Sequence, residues 1–194
     1  MCRSDRRGTR PWPMVWLALA AGCAWQTPAP VTRVLVGASL PLSGADADAG
    51  TAVRAGYQHA VDEVNAGGGL LLASTGARVP VTLVVLDDQA ETPHAEEHAA
   101  ALIKDGAHLL LATYTAVRAS AQAMVADREG CPYVTNPTDA PGLPGKRMAW
   151  VFSVPASGED LRSRAHATAI LALETIGRAE ALDPAHLRVA FSGM

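Results

Sequence analysis

The stretch Val34–Asp88 constrains the fold more than any other part of the chain. An apolar run, Val34-Leu35-Val36-Gly37, leads into Pro41-Leu42-Ser43-Gly44. An amphipathic segment follows, and then a β-branched run that stops at Asp87-Asp88. Strand, small-residue loop, helix and strand in that order make a parallel pair with its crossover helix. Backbone amides and short hydroxyls then gather at the carboxyl end of the sheet, where open α/β sheets bind small polar ligands. The nearly continuous apolar character of Val31–Leu40 suits a central strand covered on both faces.

The pattern continues along the chain. A helix is predicted over Gly50–Ala66, with Val53, Tyr57, Ala60, Val61 and Val64 on one stripe. Asn65-Ala66-Gly67-Gly68-Gly69 should close it, since Asn and Gly tolerate the left-handed conformation. Leu70–Pro80 reads as a hairpin-like loop, and Val79–Leu86 as the second strand. A helix over Thr92–Asp105 takes Thr92 as N-cap, Pro93 in its first turn and Gly106 as its end. A strand at Ala107–Ala112, a helix at Val117–Arg128 and a short strand at Pro132–Val134 complete three strand–helix repeats. Such repeats predict a three-layer α/β domain with a Rossmann-like parallel sheet and right-handed crossovers. Beyond Asn136 come a Pro/Gly-rich loop to Gly145, a strand at Trp150–Pro155 and a helix at Glu159–Ala181. A short helix then restarts at Pro184 behind Asp183. Aromatics make up 5% of the chain, and Trp12, Trp16 and Trp25 lie in or beside the leader, so the core must be built from Val, Leu and Ala.

The first 22 residues read as an export signal. Arg3, Arg6, Arg7 and Arg10 precede an apolar run from Pro13 to Gly22 that is too short to span a bilayer. Ala20-Ala21-Gly22-Cys23 resembles a bacterial lipoprotein cleavage box, which would make Cys23 the lipid-bearing residue and the membrane anchor. The alternative is a soluble product cut nearer Ala29-Pro30. Arg6-Arg7 lacks the apolar residues that follow a twin-arginine pair. Removal of the leader leaves 12 basic against 18 acidic residues, a formal charge of −6. No basic stripe remains to follow a phosphate backbone, which argues against nucleic acid as a partner. With Cys2 removed and Cys23 acylated, Cys131 stands alone, so no disulfide framework forms within the chain. Cys131 reads as a small buried hydrophobe. The domain boundaries expected are 1–22 signal peptide, 23–32 tether, 33–155 first lobe and 156–194 helical C-terminal segment.

Several segments resemble the type I periplasmic binding proteins, in particular the substrate-binding lipoproteins of branched-chain amino acid and amide ABC transporters. They are Val36–Gly44, Gly56–Gly68, Val84–Asp88, Ala100–Gly106, Cys131–Val134 and Phe152–Pro155, in that order. The resemblance implies a periplasmic, non-catalytic protein, with no cofactor, that captures an amino acid or amide between two hinged lobes. It would hand that solute to an ABC permease in the inner membrane. Ser43 and Gly44 match the family's first ligand loop, Thr115 and Ala116 the second, and Thr138 the third, with Tyr114 beside the pocket. Asp139 stands near a usual Thr or Ser position, where its charge would repel an α-carboxylate and favour a cationic group. Ala45 and Ala49 also depart from the family pattern. Ala167–Ala190 resembles the late helical region of such proteins, so the chain reads as one lobe joined to a C-terminal helical remnant, with most of the second lobe missing. A solute held on one side only is expected to bind with affinity of order millimolar or undetectably.

Other chemistry finds less support. Asp87-Asp88 has no Lys-bearing loop or glycine fingerprint beside it, which favours loop hydrogen bonding at a strand end. His94 and His98, with Glu91 and Glu97 near, could share a divalent ion on one helix face but lack a compelling third ligand. Ser43, Ser120 and Ser153 have no nucleophile-elbow pattern. Three functions stay open: solute capture, a truncated or degenerate lobe acting as an interaction module, and an exported metal-dependent enzyme.

Overall fold

The computed structural model describes residues 31–136, 143, 148–155 and 157–193. The leader, Cys23, Thr138 and Asp139 lie outside the described residues. The elements in chain order are β1 (Val34–Leu40), α1 (Ala47–Ala66), β2 (Leu70–Leu71), β3 (Arg78–Val79), β4 (Val81–Asp87) and α2 (Thr92–Lys104). They continue with β5 (Leu109–Leu111), α3 (Ala116–Glu129), β6 (Tyr133–Thr135), β7 (Val151–Ser153), α4 (Leu161–Arg178) and α5 (Pro184–Ser192).

Five of the strands form one parallel sheet in the order β4-β1-β5-β6-β7, and β2 and β3 pair as a separate antiparallel hairpin. β1 is buried at every position, as a strand covered on both faces must be. The chain steps outward from β1 to β4 and then returns across β1 to β5. That reversal puts α1 on one face and α2 with α3 on the other. The strand order thus reverses between β1 and β5, the place where open sheets bind ligands.

Alternation along the strands sorts the core into two layers. Val34, Val36, Ala38 and Leu40 join Leu109, Leu111 and Val134 under α1, α4 and α5. Leu110, Ala112 and Tyr133 face α2 and α3, against Leu102, Ala119, Ala123 and Ala126. Gly37 has no side chain to hold α2 away: a Cβ there would lie 2.7 Å from Leu110 Cδ2 and 3.2 Å from Leu102 Cβ.

The C-terminal segment is part of this core. Ala165, Ala169, Ala172, Leu173 and Ile176 of α4 are buried, as are Leu187 and Phe191 of α5. Phe191 stacks on Phe152 of β7 at 5.2 Å between ring centroids. α4 crosses α1 at Gly56, where a Cβ would meet the carbonyl oxygen of Arg162 at 2.3 Å and Ala165 Cβ at 2.8 Å. The end of α4 meets the hairpin, whose Ala73 N–H donates to the Gly177 carbonyl at 2.8 Å. Leu70–Pro80, read as a hairpin-like loop, is a β-hairpin anchored by buried Leu70 and Leu72.

Several element ends differ from the sequence expectation. α1 begins at Ala47, a turn before Gly50, with Asp46 in the N-cap position. Asn65 lies inside α1 and acts through its side chain, bonding both the N–H and the C=O of Val81 at 2.9 and 2.8 Å. The left-handed residues are Gly68 and Gly69. Thr92 is the first helical residue of α2, behind Glu91 at the N-cap, and Asp105 occupies the C-cap before left-handed Gly106. β5 is shorter than expected because the Ala107 N–H returns to the Leu102 carbonyl to close α2. α4 is shorter too: the Asp160 carboxylate accepts from Ser163 N–H at 2.7 Å and sets its start. The predicted Asp183 cap of α5 is present, accepting from the N–H groups of Ala185 and His186.

Gly56→Ala is expected to destabilise the fold by about 1–3 kcal/mol, the usual cost of overpacking. Urea unfolding should show a lower midpoint with an unchanged slope. Unaltered stability would mean that α4 does not lie on α1 at this glycine.

Candidate functional site

The carboxyl edge of the sheet brings together the loops Pro41–Asp46, Asp88–Glu91 and Ala112–Thr115, with Asn136 following β6. Asp87, the last residue of β4, organises the first of them. Its carboxylate accepts from the N–H groups of Leu42 at 2.8 Å, Ser43 at 3.1 Å and Gln89 at 2.9 Å, and from the Ser43 hydroxyl at 2.7 Å. The Ser43 hydroxyl is the largest cause that holds this carboxyl below the ordinary carboxylate range, and the three backbone donors add to it. Ser43 thus has its proton committed to Asp87 and keeps its oxygen lone pairs for an acceptor role. A solute carboxylate would have to compete with Asp87 for that proton. Loop hydrogen bonding at the strand end is what the sequence favoured for Asp87 and Asp88.

The second loop is strained. Gln89 and Ala90 have φ of 55° and 64°, a pair of left-handed non-glycine residues. The N–H of each is held by the carboxylate two residues earlier, at 2.9 Å from Asp87 and 3.0 Å from Asp88. Gly44, itself left-handed, passes so close that a Cβ would lie 2.9 Å from the Gln89 carbonyl oxygen. Backbone strain of this kind persists only where surrounding bonds over-determine it.

Arg118 ties the loops together. From the first turn of α3 it bonds Asp46 at 2.7 Å and the Ala90 carbonyl at 3.1 Å, and its Nε lies 3.9 Å from the Asp88 carboxylate. Asp88 is fully buried, and burial raises its pKa against the opposing pull of Ala90 N–H and Arg118. Sequence reasoning missed Arg118 and Asp46. A signal was available: a cation in the first turn of a helix opposes the helix dipole, so it needs a tertiary partner.

Thr115 holds the N-cap position of α3 but makes no side-chain cap bond, so its hydroxyl is not spent on the helix. Among the described residues, the buried side-chain polar atoms without a hydrogen-bond partner are Asp88 Oδ2, Thr113 Oγ1, Thr115 Oγ1 and Arg118 Nε. All four belong to residues that follow β4 or β5. Buried polar groups are nearly always paired, so four exceptions gathered at this edge stand out.

Of the residues expected at the site, Ser43 and Gly44 are exposed on the first loop, while Tyr114, Thr115 and Ala116 are half-buried on the second. Tyr114 packs against the α1–α4 core. Between Tyr57, Thr113, Tyr114, Asn136 and Thr168 the space is about 10 Å³, room for about one water and not for an amino acid. A solute would therefore rest on the outer lip of the edge.

Metal chemistry gains nothing at the residues first considered for it. His98 Nδ1 lies 3.2 Å from the Ser39 hydroxyl, and no third His, Cys, Asp or Glu joins His94 and His98 among the described residues. Cys131 is buried and its thiol is pushed up to about 12 by burial, so it is the inert small hydrophobe expected. No described helix is long and apolar enough to cross a membrane.

Because folding lowers the Asp87 pKa, the ionised carboxylate stabilises the native state above the ordinary carboxylate range. That contribution fades as pH falls through the lowered value. Asp87→Asn should therefore unfold at lower urea than the parent at neutral pH, by a modest margin because the group is only half-buried. The two should converge once the pH falls below the lowered value. A gap that does not change with pH would contradict the assignment.

Comparison with known proteins accords with this geometry. The sequence profile of the periplasmic binding protein family matches residues 33–180. Among solved structures, the branched-chain amino acid transporter substrate-binding protein LivJ from Streptococcus pneumoniae, in complex with isoleucine, is 27% identical. It aligns with 62% of this chain and 33% of its own length at a TM-score of 0.55. A substrate-binding periplasmic protein from Ralstonia solanacearum is 26% identical over 64% of this chain and 34% of its own, with a TM-score of 0.53. A putative branched-chain amino acid ABC transporter protein from Rhodospirillum rubrum shares the fold, at 23% identity over 75% of this chain and 48% of its own and a TM-score of 0.55. The aligned part thus spans between a third and a half of each of these structures. No curated protein sequence matches. With the family profile covering most of the chain and the same parallel α/β architecture beneath it, the chain belongs to the periplasmic binding protein family.

Proposed function

We propose that this lobe forms one wall of a container for a small polar solute, an amino acid or an amide, in an ABC uptake system outside the cytoplasmic membrane. The observation that carries the reading is the unpartnered hydroxyl of half-buried Thr115 at the carboxyl edge, on the same edge as exposed Ser43 and Gly44. Thr115 can both donate to and accept from a solute. Ala116 and Gly44 leave room for close approach, the Ser43 oxygen accepts, and Tyr114 supplies an apolar flank with a polar tip. Thr138 and Asp139 are further candidate ligand residues in this reading, with Asp139 favouring a cationic group. No catalytic step is part of the proposal. The isoleucine bound by the Streptococcus protein supports the amino acid class, and the family supports delivery to a permease. A lipid on Cys23 would hold the lobe at the membrane surface.

Binding to this wall alone is weak, because one face gives a solute neither desolvation nor closure. Calorimetric titration with a panel of amino acids and amides should give dissociation constants of order millimolar for the preferred ligand. Thr115→Val, which keeps the shape and removes the hydroxyl, should weaken that binding by roughly tenfold, as expected for one lost hydrogen bond. No heat with any ligand, or equal binding by the variant, would defeat the proposal.

A second reading, in which the lobe serves as an interaction module, draws on Val117 and Met124. They lie two turns apart on α3, at 70% and 53% exposure. Sedimentation separates the two: a dimer abolished by Met124→Lys favours the module, and a ligand-binding monomer excludes it.

A further inference from the structure

We infer that His59, Glu63 and His166 form a binding site for a zinc-class divalent metal ion that joins α1 to α4. His59 and Glu63 are one helical turn apart on α1, so their side chains leave the same face. His166 comes from α4, which the missing side chain of Gly56 allows to lie against α1. One ligand atom from each residue lies within 4.8 Å of the other two. His166 Nε2 is already 2.9 Å from Glu63 Oε2, and the rings of His59 and His166 stack at 4.5 Å between centroids, 28° from parallel.

Two imidazole nitrogens and a carboxylate oxygen are the donor set of three-ligand zinc sites that keep a fourth position open. Bonds of about 2.0–2.2 Å bring such atoms to about 3.3 Å from one another. Glu63 and His166 are inside that separation, and the exposed His59 and Glu63 side chains have rotamer freedom to close the rest. A depression of about 540 Å³ beside His59 and His166, bordered by Asp160 and Ser163, leaves the fourth position to water. The pair His94 and His98 on α2 has no comparable third ligand among the described residues. The metal would staple α4 to α1, which neither the sheet edge nor its solute requires.

Tag-free protein stripped with chelator is titrated with Zn²⁺ by calorimetry and with Co²⁺ by visible absorption. The expected result is one ion per chain, a higher unfolding temperature with Zn²⁺, and cobalt bands of a nitrogen- and oxygen-ligated site. His166→Ala and Glu63→Gln should each weaken binding by more than the roughly tenfold that loss of even an outer-shell partner costs. Glu63 is exposed, so that variant keeps the fold even if His166→Ala does not. His94→Ala should bind as the parent does. Absence of binding with metal in large excess overturns the inference. So does binding that survives both Glu63→Gln and His166→Ala, or that is lost in His94→Ala.

Discussion

A parallel sheet must be covered on both faces, and most of the structure follows from that requirement. Strand β1 is buried along its full length, and its central position leaves no edge through which water can satisfy the backbone. On one face α2 and α3 supply the cover. On the other, α1 reaches β1 and β4, while the side toward β6 and β7 falls to α4 and α5. Leu173, Ile176, Leu187 and Phe191 are almost wholly removed from water there. Each such side chain contributes roughly 1.5–3 kcal/mol before the entropy of ordering it is counted. The C-terminal segment is a wall of the domain, and Gly56 is the contact that lets it lie flat.

That wall also shapes the ligand edge. Ala165 and Thr168 of α4 close the inner side of the small space beside Thr113 and Tyr114, which pushes any solute outward. The outer lip is held by charge and by backbone geometry together. Arg118 binds two loops, Asp87 gathers four donors from two, and the left-handed pair Gln89-Ala90 is fixed between the carboxylates that precede it. Rigid positioning of this kind suits recognition, since little order has to be gained when a solute arrives. Within that frame the hydroxyls of Thr113 and Thr115 are left without a partner.

The elements and their order were readable from the sequence, because continuous apolar strands and three- or four-residue helical stripes are local signals. The ends were less so. The side chain of Asn65 reaches across to Val81, and no local pattern announces that a residue read as a helix stop works inside the helix. Ala107 is drawn into the turn that closes α2 rather than into β5. The hairpin-like character of Leu70–Pro80 was readable, but its cover was not, since Leu70 and Leu72 find burial against α4, about a hundred residues later in the chain. At the site, Ser43 and Thr115 were identifiable as small hydroxyls at strand ends. What was hidden is that Asp87 accepts the Ser43 hydroxyl's hydrogen bond while the Thr115 hydroxyl stays unspent, a distinction made only by tertiary geometry. Arg118 was equally hidden, though its unfavourable place in a helix's first turn hinted at a partner. His59, Glu63 and His166 come together only once α1 and α4 have packed.

The account rests on hydroxyls at the sheet edge being kept for an external partner. The direct measurement is a diffraction structure of the protein crystallised with a saturating amino acid or amide. It should show a polar atom of that solute within about 3.2 Å of Thr115 Oγ1, a hydrogen-bond distance, with the Ser43 hydroxyl still on Asp87. A structure in which the hydroxyls of Thr113 and Thr115 bond to other protein atoms, and the solute binds elsewhere or not at all, would contradict it.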